Sequence, residues 1–323
     1  MKRIHWLVPY KIIHNHEILN SNLASIRLRS ALFNLPIFKD YKVTFSENIN
    51  DINEFDYLFV GKIGANREDL FNVWINYINS LRDKKTNIFF DYTDHHLGQK
   101  NLIGDFYNKA ITDDDLIITS SNKLKSHLID SYKKITVIED PIEIEIQKIK
   151  KNNNNRFLFF GHPTNLQYLF EKVPFWDQSK NYDLIIQTSD VGLNLIQEQS
   201  KYIQKPPNLN IHLQRWSIEN MVQEANLSAG VIIPGDINDK RKNGVSHNRL
   251  ITAFALGLPV AASKYESYLE FDNQFADIDN KKEFISFVKN PSLFQSRVKM
   301  AQKKVKNFTK ENLASKWLEL ITK

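Results

Sequence analysis

Two successive series of short apolar runs, each run followed by a helix-compatible segment, constrain this chain more than any other feature. The first series reads RIHWLV, YKVTFS, DYLFVG, NIFFDYTD, DLIITS and KITVIED, with helix-compatible stretches around Ser25 to Leu35 and from Asn66 to Leu81. The second reads RFLFFG, YDLIIQT, NIHLQRW, GVIIP and PVAAS. Strands with one wet face alternate apolar and polar residues, whereas most of these runs are nearly unbroken, as expected of parallel strands covered by helices on both faces. Strand and helix in regular alternation predict an α/β fold. Between the series, Glu143 to Asn155 reads EIEIQKIKKNNNN, poor material for a core and suited to an exposed connector. The domain boundary falls there, giving an N-terminal domain over 1–145 and a second over 146–303. The 323 residues suffice for two such domains.

Composition narrows the classes of function. With 42% apolar residues, 21 Phe and 12 Tyr, the chain fills two cores, yet no run approaches the length of a transmembrane helix. The opening MKRIHWLVPYK is charged and then apolar, but His5 interrupts it and Lys11 follows, so a first strand is expected rather than a secretion signal. The absence of cysteine removes disulfides, thiol nucleophiles and cysteine metal sites, and fits a reducing cytoplasm. A formal charge of +6 favours anionic partners without choosing among nucleotide diphosphates, lipid headgroups and nucleic acid. No repeat of solenoid length is present.

The stretch GDINDKRKNGVSHNRLITAFALGLPVAAS, from Gly235 to Ser263, sets a basic loop ahead of a helix and a short strand. Helix starts expose N–H groups without intrahelical partners, and their dipole favours an anion. Lys240, Arg241, Lys242 and Arg249 add positive charge beside that start, so the segment suits a diphosphate. It resembles the donor-site segment of GT-B glycosyltransferases, particularly family 4 and related bacterial glycan-assembly enzymes, in which a basic or polar loop leads into NRL, a small-residue helix, GLPV and a later acidic residue. The resemblance implies two Rossmann-like α/β domains facing a central cleft, with a terminal helix over 304–323 packing back on the first domain. It also implies that Lys242, Ser246, Asn248 and Arg249 contact a donor diphosphate and that Glu266 contacts donor hydroxyls.

Further candidates stand where strands end. DYTDHH supplies Asp91, Asp94, His95 and His96 at the close of a predicted strand, the edge that borders ligands in open α/β sheets. Asp94 or a histidine would take the acceptor hydroxyl proton or bind the transferred sugar. The same family includes a similar element, and the doubled His leaves the register open between His95 and His96. SNLASIRLRS resembles an S-x-R-x-R element of the family. Arg27 and Arg29 do not share a helical face, so one is expected to reach the cleft and the other to be surface charge; the resemblance implies a donor-phosphate or acceptor contact, with Arg27 the candidate. In GHPTNLQYL, Gly161 permits close approach to a ligand and Asn165 offers hydrogen bonds, beside His162. Arg215 and Trp216 close another predicted strand. DYTDHH lacks zincin spacing, and an extended strand directs adjacent side chains apart, so no metal is expected.

The expected activity is transfer of a sugar from a nucleotide-diphosphate donor to a glycan or lipid-linked acceptor, in bacterial surface polysaccharide synthesis. No separate cofactor is expected, and the resemblance favours a retaining, metal-independent reaction. The alternatives are a nucleotide-sugar epimerase and a noncatalytic nucleotide-sugar or glycan-binding subunit. The polar loop from Lys11 to Asn22 and the basic balance suit an extended acceptor or peripheral association with the inner face of the membrane. Nucleic acid is not expected as a partner, because no zinc-finger pattern or basic helical stripe is evident.

Overall fold

The computed structural model describes residues 1–11, 16–19, 21, 23–47, 55–84, 86–199 and 203–323. Part of the polar loop from Lys11 to Asn22, namely residues 12–15, 20 and 22, lies outside the described residues. The chain forms two compact units: Met1–Pro141 with Gly244–Ser246 and Phe308–Lys323, and Ile142–Asn243 with His247–Asn307.

The first unit is built on six parallel strands: β1 (Lys2–Leu7), β2 (Tyr41–Ser46), β3 (Tyr57–Val60), β4 (Asn87–Tyr92), β5 (Leu116–Thr119) and β6 (Ile135–Val137), in the order β2-β1-β3-β4-β5-β6. The unbroken apolar runs have a direct explanation here, because successive residues of a strand enter opposite layers and both layers are dry. Along β3, Tyr57 and Phe59 join Trp6, Phe33 and Trp317, while Leu58 and Val60 join Trp74, Ile78, Phe90 and Phe106. The first layer is closed by the helix Lys310–Thr322. Its Trp317 meets Trp6 edge-on at 5.6 Å and Phe33 at 5.5 Å, and Tyr57 Oη donates to Ile321 O at 2.7 Å.

The second unit repeats the architecture with β7 (Arg156–Phe160), β8 (Tyr182–Thr188), β9 (Leu209–Arg215), β10 (Gly230–Ile233), β11 (Val260–Ala262) and β12 (Ala276–Asp277). The order is β12-β11-β10-β7-β8-β9, again parallel throughout. The asparagine run preceding β7 is not slack. Asn152 Nδ2 donates to the carbonyls of Asn226 (2.9 Å) and Ser228 (2.8 Å), and Asn154 Nδ2 donates to Leu227 O at 2.6 Å. These amides serve carbonyls that the end of the helix Ile218–Leu227 leaves without intrahelical donors. Upstream, the N–H groups of Gln147 and Lys150 donate to Ala255 O and Gly257 O.

Arg29 is not the surface charge that its spacing from Arg27 suggested. It is fully buried in the first unit, where Nε donates to Asp91 at 2.7 Å and Nη1 to Asp140 at 2.8 Å and to Ile138 O at 2.6 Å. Its guanidinium lies over the Trp317 ring at 5.1 Å. Removing a charge from water is costly unless partners replace the solvent, and here two carboxylates share one cation. Burial accordingly pushes the Asp91 carboxyl up to about 6, against the pull of Arg29. An acid whose folded pKa is raised binds its proton more readily folded than unfolded, so this site's contribution to stability declines as pH rises through 6. Asp91→Asn keeps an acceptor for Arg29 and removes the surplus charge. We predict that this variant is more stable than wild type by about 1 to 3 kcal/mol at pH 8. The advantage should shrink progressively as pH falls from about 6 to about 4, the unfolded carboxylate range, in urea unfolding curves; an advantage independent of pH would contradict the charge account.

Candidate functional site

In the second sheet the chain runs outward from β7 through β8 to β9, then returns to lay β10 on the other side of β7. Loops after β7 and β10 therefore diverge, and ligands bind at such reversals beyond the carboxyl ends of the strands. Gly161 is the first residue after β7, with its N–H donating to Gln187 O at 3.1 Å. A methyl group built on Gly161 would stand 3.2 Å from Nη1 of Arg249 and 3.5 Å from Nδ2 of Asn165, so three of the sequence candidates converge at the reversal. Asn165 is buried, at the end of the turn Pro163–Asn165. Nη1 of Arg249 is shielded from solvent and has no hydrogen-bond partner. An unanswered guanidinium N–H at that depth is costly, and is the group an anionic ligand would satisfy.

Two tyrosines back Arg249. Burial raises the Tyr268 phenol above its ordinary value and Arg249 opposes it. Tyr265 lies so close to Gly235, which follows β10, that a methyl group there would overlap its hydroxyl. Ser263 locks the same loop: its Oγ accepts from Gly235 N–H and donates to Gly235 O, each at 3.0 Å.

Arg249 stands in the first turn of the helix Asn248–Ala255, whose start has no side-chain cap. His247, buried just before it, pairs through Nε2 with Glu270 at 2.5 Å. Asn248 is half-buried at the first helical position, and half-buried Ser246 belongs to the first unit. Lys242 lies in the short helix Lys240–Asn243, its N–H donating to Asp239 O at 2.9 Å; the side chain of Arg241 lies outside the described ones. Exposed Glu266 is held by Asn243, whose Nδ2 donates to Oε1 at 3.1 Å and whose Oδ1 accepts from Glu266 N–H at 2.9 Å. His162 is exposed and accepts from Thr164 N–H, whereas Arg215 faces Asp190 at 3.3 Å and Trp216 N–H donates to Thr188 O.

In the first sheet the reversal lies between β1 and β3. Lys62 follows β3, and DYTDHH runs off the adjacent β4. Asp91 points into the core to Arg29, which removes it from the candidate site. Asp94 receives Lys62 Nζ at 2.6 Å and lies 3.9 Å from His96 Nε2. Burial works against the Asp94 charge, but Lys62 and His96 outweigh it and hold the carboxyl well below the usual carboxylate range. Tyr92 shapes the loop by accepting from the N–H groups of His96 (2.7 Å) and Leu97 (2.8 Å) through its hydroxyl. The two histidines part company there: His95 stacks on His127 at 4.7 Å, and His96 turns towards Asp94. Arg27, in the helix Ala24–Leu28, donates through Nη1 to Ser21 O at 2.7 Å. Among the described residues, no group of three or more His, Asp and Glu side chains is set to hold a metal ion.

Four contributors escaped the sequence reading: Lys62, Asn243, Tyr268 and His127. Lys62 had a usable signal, since it follows an apolar run just as DYTDHH does; the others act through folded neighbours that no local pattern discloses.

The loop is also fixed by a close approach. A methyl group on Gly104, in the helix Leu102–Ala110, would stand only 2.6 Å from His96 O. Gly98, at φ +79°, has open space around it. Gly104→Ala is therefore predicted to cost about 2 to 4 kcal/mol in denaturant unfolding and to shift the His96 NMR signals. Gly98→Ala should cost about 1 kcal/mol, through backbone strain alone. Equal costs would refute the packing argument.

No protein-family model and no curated protein sequence matches this chain. Solved structures do. An α-glucosyltransferase (AGT) in complex with UDP aligns over 99% of both chains, with a TM-score of 0.65 and 11% identity. Anabaena Alr3699/HepE in complex with UDP and glucose aligns over 100% of both, with a TM-score of 0.62 and 13% identity. S. aureus TarM, in complex with fondaparinux, α-GlcNAc-glycerol and UDP, aligns with 83% of this chain and 55% of its own, with a TM-score of 0.54 and 12% identity. Two further structures of the α-glucosyltransferase hold UDP and a 13-mer DNA, at TM-scores of 0.63 and 0.64. They overturn the expectation that nucleic acid is not a partner, because proteins of this fold do bind it. A basic helical face is also present: the helix Gln295–Val305 has no acidic residue and exposes Lys299 and Lys303 one turn apart. Among the described residues no helix is long and apolar enough to cross a membrane. By strand order, layering and these likenesses, the chain has the GT-B fold, two Rossmann-like α/β domains in succession.

Proposed function

We propose that the protein is a glycosyltransferase that uses a nucleotide-diphosphate sugar. The observation that carries this reading is Arg249 Nη1, shielded and without a partner beside Gly161 and Asn165 at the strand reversal of the second unit. Such a group suits a diphosphate, and the UDP bound to AGT and HepE supports a uridine donor. In this reading Arg249, Lys242, Ser246, Asn248 and the N–H groups of the helix start hold the diphosphate. Gly161 lets it approach, Asn165 binds the base or sugar, Arg27 adds a donor contact, and Glu266 takes the donor hydroxyls, exchanging Asn243 for them. The bond between the sugar's anomeric carbon and the diphosphate oxygen breaks, a bond from that carbon to the acceptor oxygen forms, and the acceptor hydroxyl gives up its proton. Charge accumulates on the departing diphosphate, so cations there stabilise the transition state more than the ground state. Asp94, His95 and His96 supply the group that receives the proton or steadies the sugar. The chemistry needs no metal, and the family resemblance supports retention of configuration.

For the acceptor we infer a glycan or lipid-linked glycan, made in the cytoplasm at the inner face of the membrane. Support comes from the resemblance to glycan-assembly enzymes and from the glycans in the TarM complex. DNA is the second reading, favoured by the DNA-bound α-glucosyltransferase and the basic face of Gln295–Val305.

Purified protein offered a panel of nucleotide sugars, with oligosaccharide, lipid-linked and DNA acceptors, should release UDP and label one acceptor class. Folded protein that neither binds nor turns over any of these would contradict the assignment. An isomerised donor without transfer would indicate the epimerase, and binding without turnover a noncatalytic subunit. Arg249→Ala and Lys242→Ala are predicted to lower kcat/KM by about 10- to 100-fold, equivalent to about 1.4 to 2.7 kcal/mol, with little change in melting temperature. Gly161→Ala, which crowds Arg249, should weaken UDP binding by about 3- to 10-fold in calorimetry. Wild-type behaviour in all three would remove these residues from the proposed centre.

A further inference from the structure

Lys62 and His96 compete for one oxygen. Lys62 Nζ stands 2.6 Å from Oδ2 of Asp94, and His96 Nε2 stands 3.9 Å from the same atom, beyond hydrogen-bonding range. Both ring nitrogens of His96 are shielded and have no hydrogen-bond partner, although its side chain retains 13% of its exposure. The backbone of His96 is held by the Tyr92 hydroxyl, so a change at Lys62 acts on the carboxylate and the ring rather than on the course of the chain. Tyr107 lies roughly parallel to the ring at 6.5 Å, and burial keeps its hydroxyl protonated. Lys62 is only 26% exposed and comes from the neighbouring strand, so the arrangement is part of the sheet edge rather than an incidental surface pair.

We propose that Lys62 is a positioning residue: by claiming Oδ2 of Asp94 it prevents an Asp94–His96 hydrogen bond and leaves the His96 imidazole available to an incoming hydroxyl. The proposal rests on the glycosyltransferase reading for the identity of that hydroxyl, but not for the side-chain competition itself. Without Lys62 the carboxylate loses its cation and turns to the imidazole, which then holds its proton to higher pH. The added hydrogen bond also removes one ring nitrogen from service.

Histidine NMR titration of the free protein, with the His96 signal assigned by its loss in His96→Gln, tests this directly. Lys62→Met should raise the His96 midpoint by about 1 pH unit, and Lys62→Arg should restore it. Adding Asp94→Asn to Lys62→Met should abolish the rise. Lys62→Gln, closer in polarity to the native side chain, should repeat the Lys62→Met result and guards against a variant that folds poorly. In turnover, Lys62→Met should lower kcat/KM at pH 7 by about 10-fold and move the acid limb of the pH profile upward with the His96 midpoint. A midpoint unmoved or lowered in Lys62→Met and Lys62→Gln, or a rise that survives Asp94→Asn, would overturn the proposal. The midpoint is read without donor or acceptor, so a protein inactive on every sugar but showing the shift would refute the glycosyltransferase reading and leave the competition standing.

Discussion

Parallel pairing with both faces covered is the constraint on which the rest of this structure depends. Strands such as Tyr57–Val60 and Gly230–Ile233 are buried along their whole length, leaving no face on which a polar group meets solvent. Chemistry is pushed to the loops at the strand ends, and the order of the strands decides which loops stand apart. In the second unit the reversal between β7 and β10 places Gly161 and Gly235 at those ends, and Arg249 reaches the first while Tyr265 fills the space beside the second. In the first unit Lys62 and Asp94 leave neighbouring strands and meet.

Charge is managed differently at Arg29 and Arg249. Arg29 is sealed in the core of the first unit, with two carboxylates, a carbonyl and an aromatic face around it, and its one unpartnered nitrogen, Nη2, lies at that depth. Arg249 is half-buried, and its unpartnered Nη1 stands beside Gly161 at the strand reversal, where a ligand can reach it. A fold tolerates that cost where a ligand supplies the missing acceptor, so the deficit at Arg249 is more informative about function than the ion pairs elsewhere.

Much of this was legible in the sequence, and the reason is periodicity. Buried parallel strands write themselves as unbroken apolar runs, so the α/β class could be read directly, and the segment around Arg249 stood out because charge, small residues and a helix start follow one another locally. Side-chain partnerships across long separations leave no such trace. Arg29 looked like surface charge because its partners, Asp91 and Asp140, are far away in the chain, and Asp91 looked like a site residue because it precedes Asp94 on the same strand end. The asparagine run read as a loose connector because composition reports polarity and not the helix carbonyls that Asn152 and Asn154 serve. Lys299 and Lys303 of Gln295–Val305 were missed for a related reason, since residues four apart share a face only once the helix is wound.

The central claim is that the strand reversal of the second unit is a diphosphate cradle centred on Arg249. A crystal structure of the protein with UDP tests it most directly. The account predicts diphosphate density beside Gly161 with Arg249 Nη1 within hydrogen-bonding distance of a phosphoryl oxygen. UDP bound elsewhere, or bound there with Arg249 turned away from the phosphates, would contradict it.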